Sequence, residues 1–451
     1  MLISKNPFTG KEITTYKEFT SKELNTVLVK ANDSFKKWRN ENNQKRSDYF
    51  LNMAVLLRER KQKYSELITN EMGKIISESR AEIEKCAWLC EYYAKNSEGL
   101  LSSESIKSDA SKSYVRYDGI GIIYGIMPWN FPFWQVLRAA VPTIMTGNTF
   151  VLKHAPNVVG CGVAIEKLFI DAGFPQNIFS NLLIDIDLSE NVIANPYVQG
   201  VTLTGSQRAG RTVAAQAGKH LKKTVMELGG SDPFIVLKDA NLSLSCKTGV
   251  CSRMLNAGQV CISAKRFIVE ELIFDDFVKE QKNLLKRIVI GDPIKENTEM
   301  GPMARPDLLD EIEKQVNDSV KMGAKIICGG KRINSNFYPP TLIINVKKGM
   351  PIYDQETFGP VSVVIPAKDA QDAIKIANDT TFGLGASLWT EDLNLAEKLA
   401  NKIEAGAVFI NGMTKSDPRL PFGGIKQSGY GRELGELGIK EFVNAKTIWM
   451  K

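Results

Sequence analysis

Apolar residues recur at intervals of three and four along the first hundred positions, through Leu51, Ala54, Val55, Leu56 and Leu57, and Ser21-Lys22-Glu23-Leu24 supplies a helix start. Residues 1–100 therefore read as helices. Residues 102–113, rich in serine and lysine, break that period and read as an exposed hairpin or arm. From Tyr114 the pattern switches to alternating strands and helices. A β-type run at 121–127 precedes a helix from 133 to about 145, a short buried strand at 149–152, and a helix at 158–170 closed by Gly173-Phe174-Pro175. Further strands are expected at 180–184, 200–203, 224–226 and 234–237. This alternation implies a parallel, doubly wound sheet with right-handed crossovers. A second βα series, with strands at 267–269, 326–328, 361–365 and 407–410, implies a second α/β domain. Residues 441–451 read as a strand able to add to a neighbouring sheet.

Composition narrows the field. A chain of 451 residues is long enough for two or three domains, each with its own core. The formal charge of +7 is spread along the chain with no basic tail or cluster, which argues against a nucleic-acid partner. No apolar run approaches the roughly 18 residues of a membrane helix, and the first residues lack the apolar core of a signal peptide. Seven cysteines, an odd and scattered set, do not form a disulfide framework, so a reducing cytoplasm is the expected location. Six of them are expected to be buried apolar thiols. Cys86 and Cys90 stand at helical i, i+4 spacing with no second pair to complete a zinc site, and no metal is expected.

The seventh is different. Cys261 ends the run Asn256-Ala257-Gly258-Gln259-Val260-Cys261, and Glu227, in Glu227-Leu228-Gly229-Gly230, lies 34 residues upstream. With only two histidines in the chain, His154 and His220, a histidine-driven triad has few candidates. A thiol nucleophile with a carboxylate base is what the composition allows. The Rossmann fingerprint is absent from the first βα turn. Gly205-Ser206-Gln207-Arg208-Ala209-Gly210-Arg211-Thr212 nearly matches a P-loop, but Arg211 stands where a nucleotide triphosphatase needs lysine. A helix N-terminus facing a dinucleotide pyrophosphate keeps the glycines and does not need that lysine.

Six motifs occur in order: Pro128-Trp129-Asn130-Phe131-Pro132, the loop from Gly205 to Gly210, Glu227-Leu228-Gly229-Gly230, Gly258-Gln259-Val260-Cys261, Glu356-Thr357-Phe358-Gly359-Pro360 and Pro421-Phe422-Gly423-Gly424. Together they resemble the aldehyde dehydrogenase superfamily over nearly the whole chain. The resemblance implies a Rossmann-like cofactor domain (1–100 and 120–227), a catalytic domain (228–435) and a β-arm for oligomerisation (101–119 and 436–451), giving a homodimer or homotetramer. It implies that Cys261 attacks the aldehyde carbon to give a thiohemiacetal and then a thioester, that Asn130 donates to the oxyanion, and that Glu227 activates the hydrolytic water. Trp129, Gly205, Ser206 and Gly210 would border the dinucleotide. Lys153 would reach the adenine ribose, and Glu356 the nicotinamide ribose with Phe358 beside the ring.

Pro156 stands where NAD-preferring members carry a glutamate, so NADP is admissible, and dual use with NAD also. Arg138, two helical turns beyond Asn130, could grip a substrate carboxylate bidentately or form an ion pair with an acidic neighbour. Succinate-semialdehyde dehydrogenases carry an arginine there, and Ser416, in Lys415-Ser416-Asp417-Pro418-Arg419, is a second contact in that resemblance. Two departures remain: Leu255 replaces a second arginine, and Ser263 replaces a cysteine that forms a disulfide switch in some members. The alternatives are a broader aldehyde dehydrogenase for aliphatic or ω-carboxylated aldehydes and, in another class, a non-catalytic binding protein.

Overall fold

The computed structural model describes residues 1–334 and 336–451. Thr20 starts the helical layer with a capping box: Glu23 N donates to Thr20 Oγ1 (3.2 Å), and Thr20 N donates to Glu23 Oε2 (2.7 Å). Four helices follow, Ser21–Trp38, Asn43–Glu59, Lys61–Met72 and Ile76–Leu100. Gly73 ends the third in the left-handed region (φ +82°). A hairpin of Leu2–Lys5 and Glu12–Tyr16 precedes them. The helical period did not reveal this hairpin, whose strands are short and mostly exposed.

The first large sheet has six strands in the order Gly429–Tyr430, Lys223–Glu227, Val198–Thr204, Ile122–Met127, Thr149–His154 and Phe179–Asn181. All are parallel except Gly429–Tyr430, which closes one edge antiparallel to Lys223–Glu227. This sheet departs from the sequence reading: the edge strand Gly429–Tyr430 was not foreseen, and the strand expected at 234–237 with the first series belongs to the second sheet. Lys153 and His154 lie within the strand rather than after it. Ladder pairing ends at Asn181, while Leu182 and Ile184 turn into the core beside Val192.

The second sheet has seven strands in the order Lys325–Cys328, Thr341–Ile344, Val361–Ala367, Arg266–Glu270, Pro233–Val236, Gly385–Trp389 and Ala407–Ile410. Only its first pair is antiparallel. Thr341–Ile344 and Gly385–Trp389 escaped the sequence reading, one directly behind Pro339-Pro340 and the other opening on Gly-Ala-Ser with little β-branched character. A third sheet pairs Val443–Met450 with Lys112–Gly119 over eight registered positions, and Glu104–Ser105 with the latter.

Both α/β layers bury continuous apolar cores. Among the cysteines, Cys86, Cys90, Cys161 and Cys246 are buried, but Cys251 is exposed and Cys328 partly so. The expectation of six buried thiols is corrected: Cys251 sits on the outward face of its helix. Among the described residues no helix is long and apolar enough to cross a membrane.

Candidate active site

The first sheet places its loops at the carboxyl ends of parallel strands. Ile122–Met127 is the first strand in chain order and Val198–Thr204 the fourth, yet they are neighbours, so the crossovers diverge between them and open a crevice. A cleft of about 830 Å³ lies there, lined by Pro128, Trp129 and Asn130 after one strand and Gly205, Ser206 and Arg208 after the other. The helix Gln207–Lys219 points its N-terminus at the cleft, with Ser206 as its cap accepting from Ala209 N (3.3 Å). Trp129 and Phe358 meet edge to face at 5.9 Å on its wall. Glu356 also lines it.

Gly210, Lys153 and Pro156 do not line this cleft. Gly210 serves packing, since a Cβ there would lie 2.6 Å from Leu228 Cδ2. Lys153 is buried, with its ammonium pulled down by desolvation, and Pro156 is exposed. Arg211 turns away to Gln427 Oε1 (3.2 Å), which removes the basis for a P-loop reading. His154 is a packing residue, wedged between the carbonyls of Met127 and Pro132.

Cys261 borders both this cleft and a second cavity of about 200 Å³. Its loop is held in an unusual backbone shape: Asn256, Ala257 and Gly258 are all left-handed, with φ of +52°, +53° and +75°. Gly258 must be glycine, because a Cβ would lie 2.2 Å from Gly359 O. Strain of this kind persists only where the surroundings over-determine it. Here Asn256 N donates to Glu78 Oε2 (3.0 Å), Asn256 Nδ2 to Asn130 O (2.9 Å), Ala304 N to Gln259 Oε1 (2.9 Å), and Asn130 Nδ2 to Gln259 O (3.0 Å). Arg253, fully buried, donates to the carbonyls of Val361, Gly258, Thr357 and Gly359 and so clamps the nucleophile loop to the Glu356-to-Pro360 segment.

Lys265, missed in the sequence, ties three motifs together. Its ammonium donates to Cys261 O (2.6 Å), Gly230 O (2.7 Å) and Glu356 Oε1 (2.8 Å). Glu356 Oε1 also accepts from Gly230 N (3.0 Å), so both bonds use one oxygen. A lysine four residues after the cysteine was the only available signal. Burial pushes the Cys261 thiol up to about 11, opposed by the charges of Lys265 and Arg138.

Glu227 ends its strand fully enclosed and borders neither space. Its oxygens have no hydrogen-bond partner among the described residues, and Oε1 packs where a Cβ on Gly423 would sit. Burial, then the neighbouring Glu433, raises its carboxyl well above the ordinary range. Glu433 in turn forms a buried ion pair with Arg138, whose guanidinium lies 4.7 Å from the Phe422 ring centroid. Arg138 and Ser416 line the second cavity with Cys261. Of the two readings of Arg138, the ion pair is the one formed: it reaches the cavity with its charge balanced by Glu433, a residue that carried no sequence signal.

A thiol where two spaces meet, with the Asn130 amide on the wall of one of them, is an arrangement for covalent chemistry on a bound carbonyl. Over 447 residues the chain is 46% identical to a protein of Synechocystis sp. named as a probable NADP(+) succinate-semialdehyde dehydrogenase, covering 99% of this chain and 98% of that one. It is 44% identical over 449 residues to the NAD(P)+ succinate semialdehyde dehydrogenase of Escherichia coli, covering 99% and 97%. The crystal structure of the succinic semialdehyde dehydrogenase from Streptococcus pyogenes in complex with NADP+ superposes over the whole of both chains with a TM-score of 0.98 at 38% identity. Since residues 2–448 match the model of the aldehyde dehydrogenase family as well, the chain belongs to that family.

Proposed function

We propose that this enzyme oxidises succinate semialdehyde to succinate with NADP as hydride acceptor, through a thiohemiacetal and then a thioester on Cys261. The observation that carries the reading is the position of Cys261 between a dinucleotide-sized cleft and a largely apolar cavity that Arg138, Lys85 and Ser416 reach. The cleft fits a dinucleotide: the amides at the start of Gln207–Lys219 suit a pyrophosphate, Glu356 Oε2 is left for a ribose hydroxyl, and Trp129 and Phe358 form an apolar wall. Pro156 offers no carboxylate to repel a 2′-phosphate, and the relatives are named for NADP or for both dinucleotides. Bound there, NADP takes the hydride from the substrate carbon.

The chain's own groups do the rest. Cys261 Sγ attacks the aldehyde carbon. Asn130 uses one amide hydrogen on Gln259 O and has the second for the oxyanion, together with the Cys261 backbone N–H. In this reading Glu227, enclosed at rest, turns its side chain toward Cys261 to take a proton from the water that frees the acyl group. Arg138 and Ser416 face the far end of the substrate. The domain division expected above, with residues 101–119 and 436–451 as an oligomerisation arm, completes the reading; the three-stranded arm sheet supports a homodimer or homotetramer.

The test is steady-state kinetics on a panel of aldehydes, each with NAD and NADP. The highest kcat/KM should fall on succinate semialdehyde with NADP, and a better uncharged aldehyde would refute the reading. Asn130→Ala should lower kcat by about 10²–10³-fold with little change in KM, as loss of one oxyanion donor does. The Cys261 thiol, up at about 11, is mostly protonated at neutral pH. Its reactive thiolate therefore grows about tenfold per pH unit, and kcat/KM for an uncharged aldehyde should climb in proportion from pH 7 to 9.

A further inference from the structure

Four carboxylates lie in or beside the substrate cavity, and each is already engaged. Glu78 accepts the amide of Asn256. Glu82 holds Lys74 in a buried ion pair and accepts from the amides of Phe133 (2.8 Å) and Trp134 (2.9 Å), capping the helix Trp134–Met145. Asp417 is gripped by Arg419 Nε (2.8 Å) and Nη2 (2.7 Å). Glu433 is paired with Arg138. Lys85 is the cation left over. Among the described residues no carboxylate lies within ion-pair distance of it; its ammonium donates to Ser416 Oγ (2.8 Å) and stands 4.0 Å from the Trp134 ring centroid. Lys85 and Ser416 line the same cavity as Cys261. Lys415 also borders it but is exposed, where solvent screens its charge. An ammonium drawn out of water without a counter-ion is costly, and a ligand carboxylate removes that cost.

We propose that Lys85, with Ser416 beside it, is the group that receives the distal carboxylate of the substrate and sets the preference for ω-carboxylated aldehydes. This rests on the substrate reading above and deepens it. Arg138, committed to Glu433, shapes the wall, and Lys85 supplies the net positive charge. A substrate anion would complete a charge-assisted hydrogen bond to Nζ, with the Ser416 hydroxyl free to rotate its proton toward the same carboxylate. The charged and titratable groups facing Lys85 are Arg138, Cys86, Glu82 and Asp417; burial first, and Arg138 next, pull its ammonium down to about 8.

Steady-state kinetics of wild type and Lys85→Met on succinate semialdehyde and on butanal, at saturating NADP, test this. In Lys85→Met the KM for succinate semialdehyde should rise roughly 10- to 100-fold with kcat little changed, the loss expected for one charged hydrogen-bond donor, while butanal kinetics hold. In wild type the preference for succinate semialdehyde over butanal should fall above pH 8, where Lys85 gives up its proton. In Lys85→Arg it should stay flat there, because a guanidinium keeps its charge. That second variant carries the test should Lys85→Met fail to fold. A wild-type preference retained in Lys85→Met, or lost above pH 8 to the same degree in Lys85→Arg, overturns the role of Lys85 alone. A wild type that does not prefer the carboxylated aldehyde overturns the substrate reading as well.

Discussion

Cys261→Ser should reduce turnover on every aldehyde by on the order of 10⁴-fold or more while NADP binds with its wild-type Kd. The reason lies in what surrounds the sulfur. A serine hydroxyl needs a base to become a nucleophile, and none stands beside it at rest: Glu227 is enclosed and borders neither space that Cys261 faces. His154 is fixed between the Met127 and Pro132 carbonyls, and burial lowers it to about 4, so it is too weak a base to draw a proton from a hydroxyl. His220 caps the far end of the helix whose start faces the cleft. Lys265, the nearest cation, spends its donors on Cys261 O, Gly230 O and Glu356. The cofactor cleft shares only one side of this position, so a hydroxyl in place of the thiol leaves the dinucleotide contacts intact. Isothermal titration with NADP and a coupled rate assay measure the two halves of the prediction separately.

Glu227→Gln should uncouple the two halves of the reaction. Acylation of Cys261 does not use the carboxylate, so mixing with aldehyde and NADP should release one equivalent of NADPH per active site in a burst. The following steady-state rate should fall about 10²–10⁴-fold, the range for loss of a general base. A stopped-flow absorbance trace reads both phases. The substitution suits the site, because Glu227 has no hydrogen-bond partner to lose among the described residues, and burial and the neighbouring Glu433 already disfavour its charged form. Thermal stability should therefore be kept. The same raised carboxyl gives a sign to the pH dependence in wild type: the basic form grows as pH rises, so deacylation accelerates toward alkaline pH.

The strand-helix alternation after Tyr114 exposed both α/β layers, because buried parallel strands are short apolar runs set between helices. The leading hairpin escaped notice, since Ile3 and Ile13 are exposed and leave no alternating apolar face. At the site, Cys261 and Asn130 stood out through the residues around them, and both came together around Gln259. Glu433, Lys265 and Lys85 did not. Each acts through a partner distant in sequence, Arg138, Glu356 and Ser416, and a single charged residue in a helix or loop carries no pattern. The same holds for Arg138, whose chemistry changes once Glu433 is placed beside it. Sequence patterns report periodicity and motif; they do not report which charges cancel after folding.

The central claim is that an acyl group rests on one sulfur between oxidation and hydrolysis. Its most direct test is an acid quench of the wild-type enzyme within a single turnover with succinate semialdehyde and NADP, followed by peptide mapping by mass spectrometry. A succinyl group on the peptide containing Cys261, absent without NADP and long-lived in Glu227→Gln, is the predicted result. Turnover that proceeds with the Cys261 peptide never modified, or with the acyl group on another residue, would contradict it.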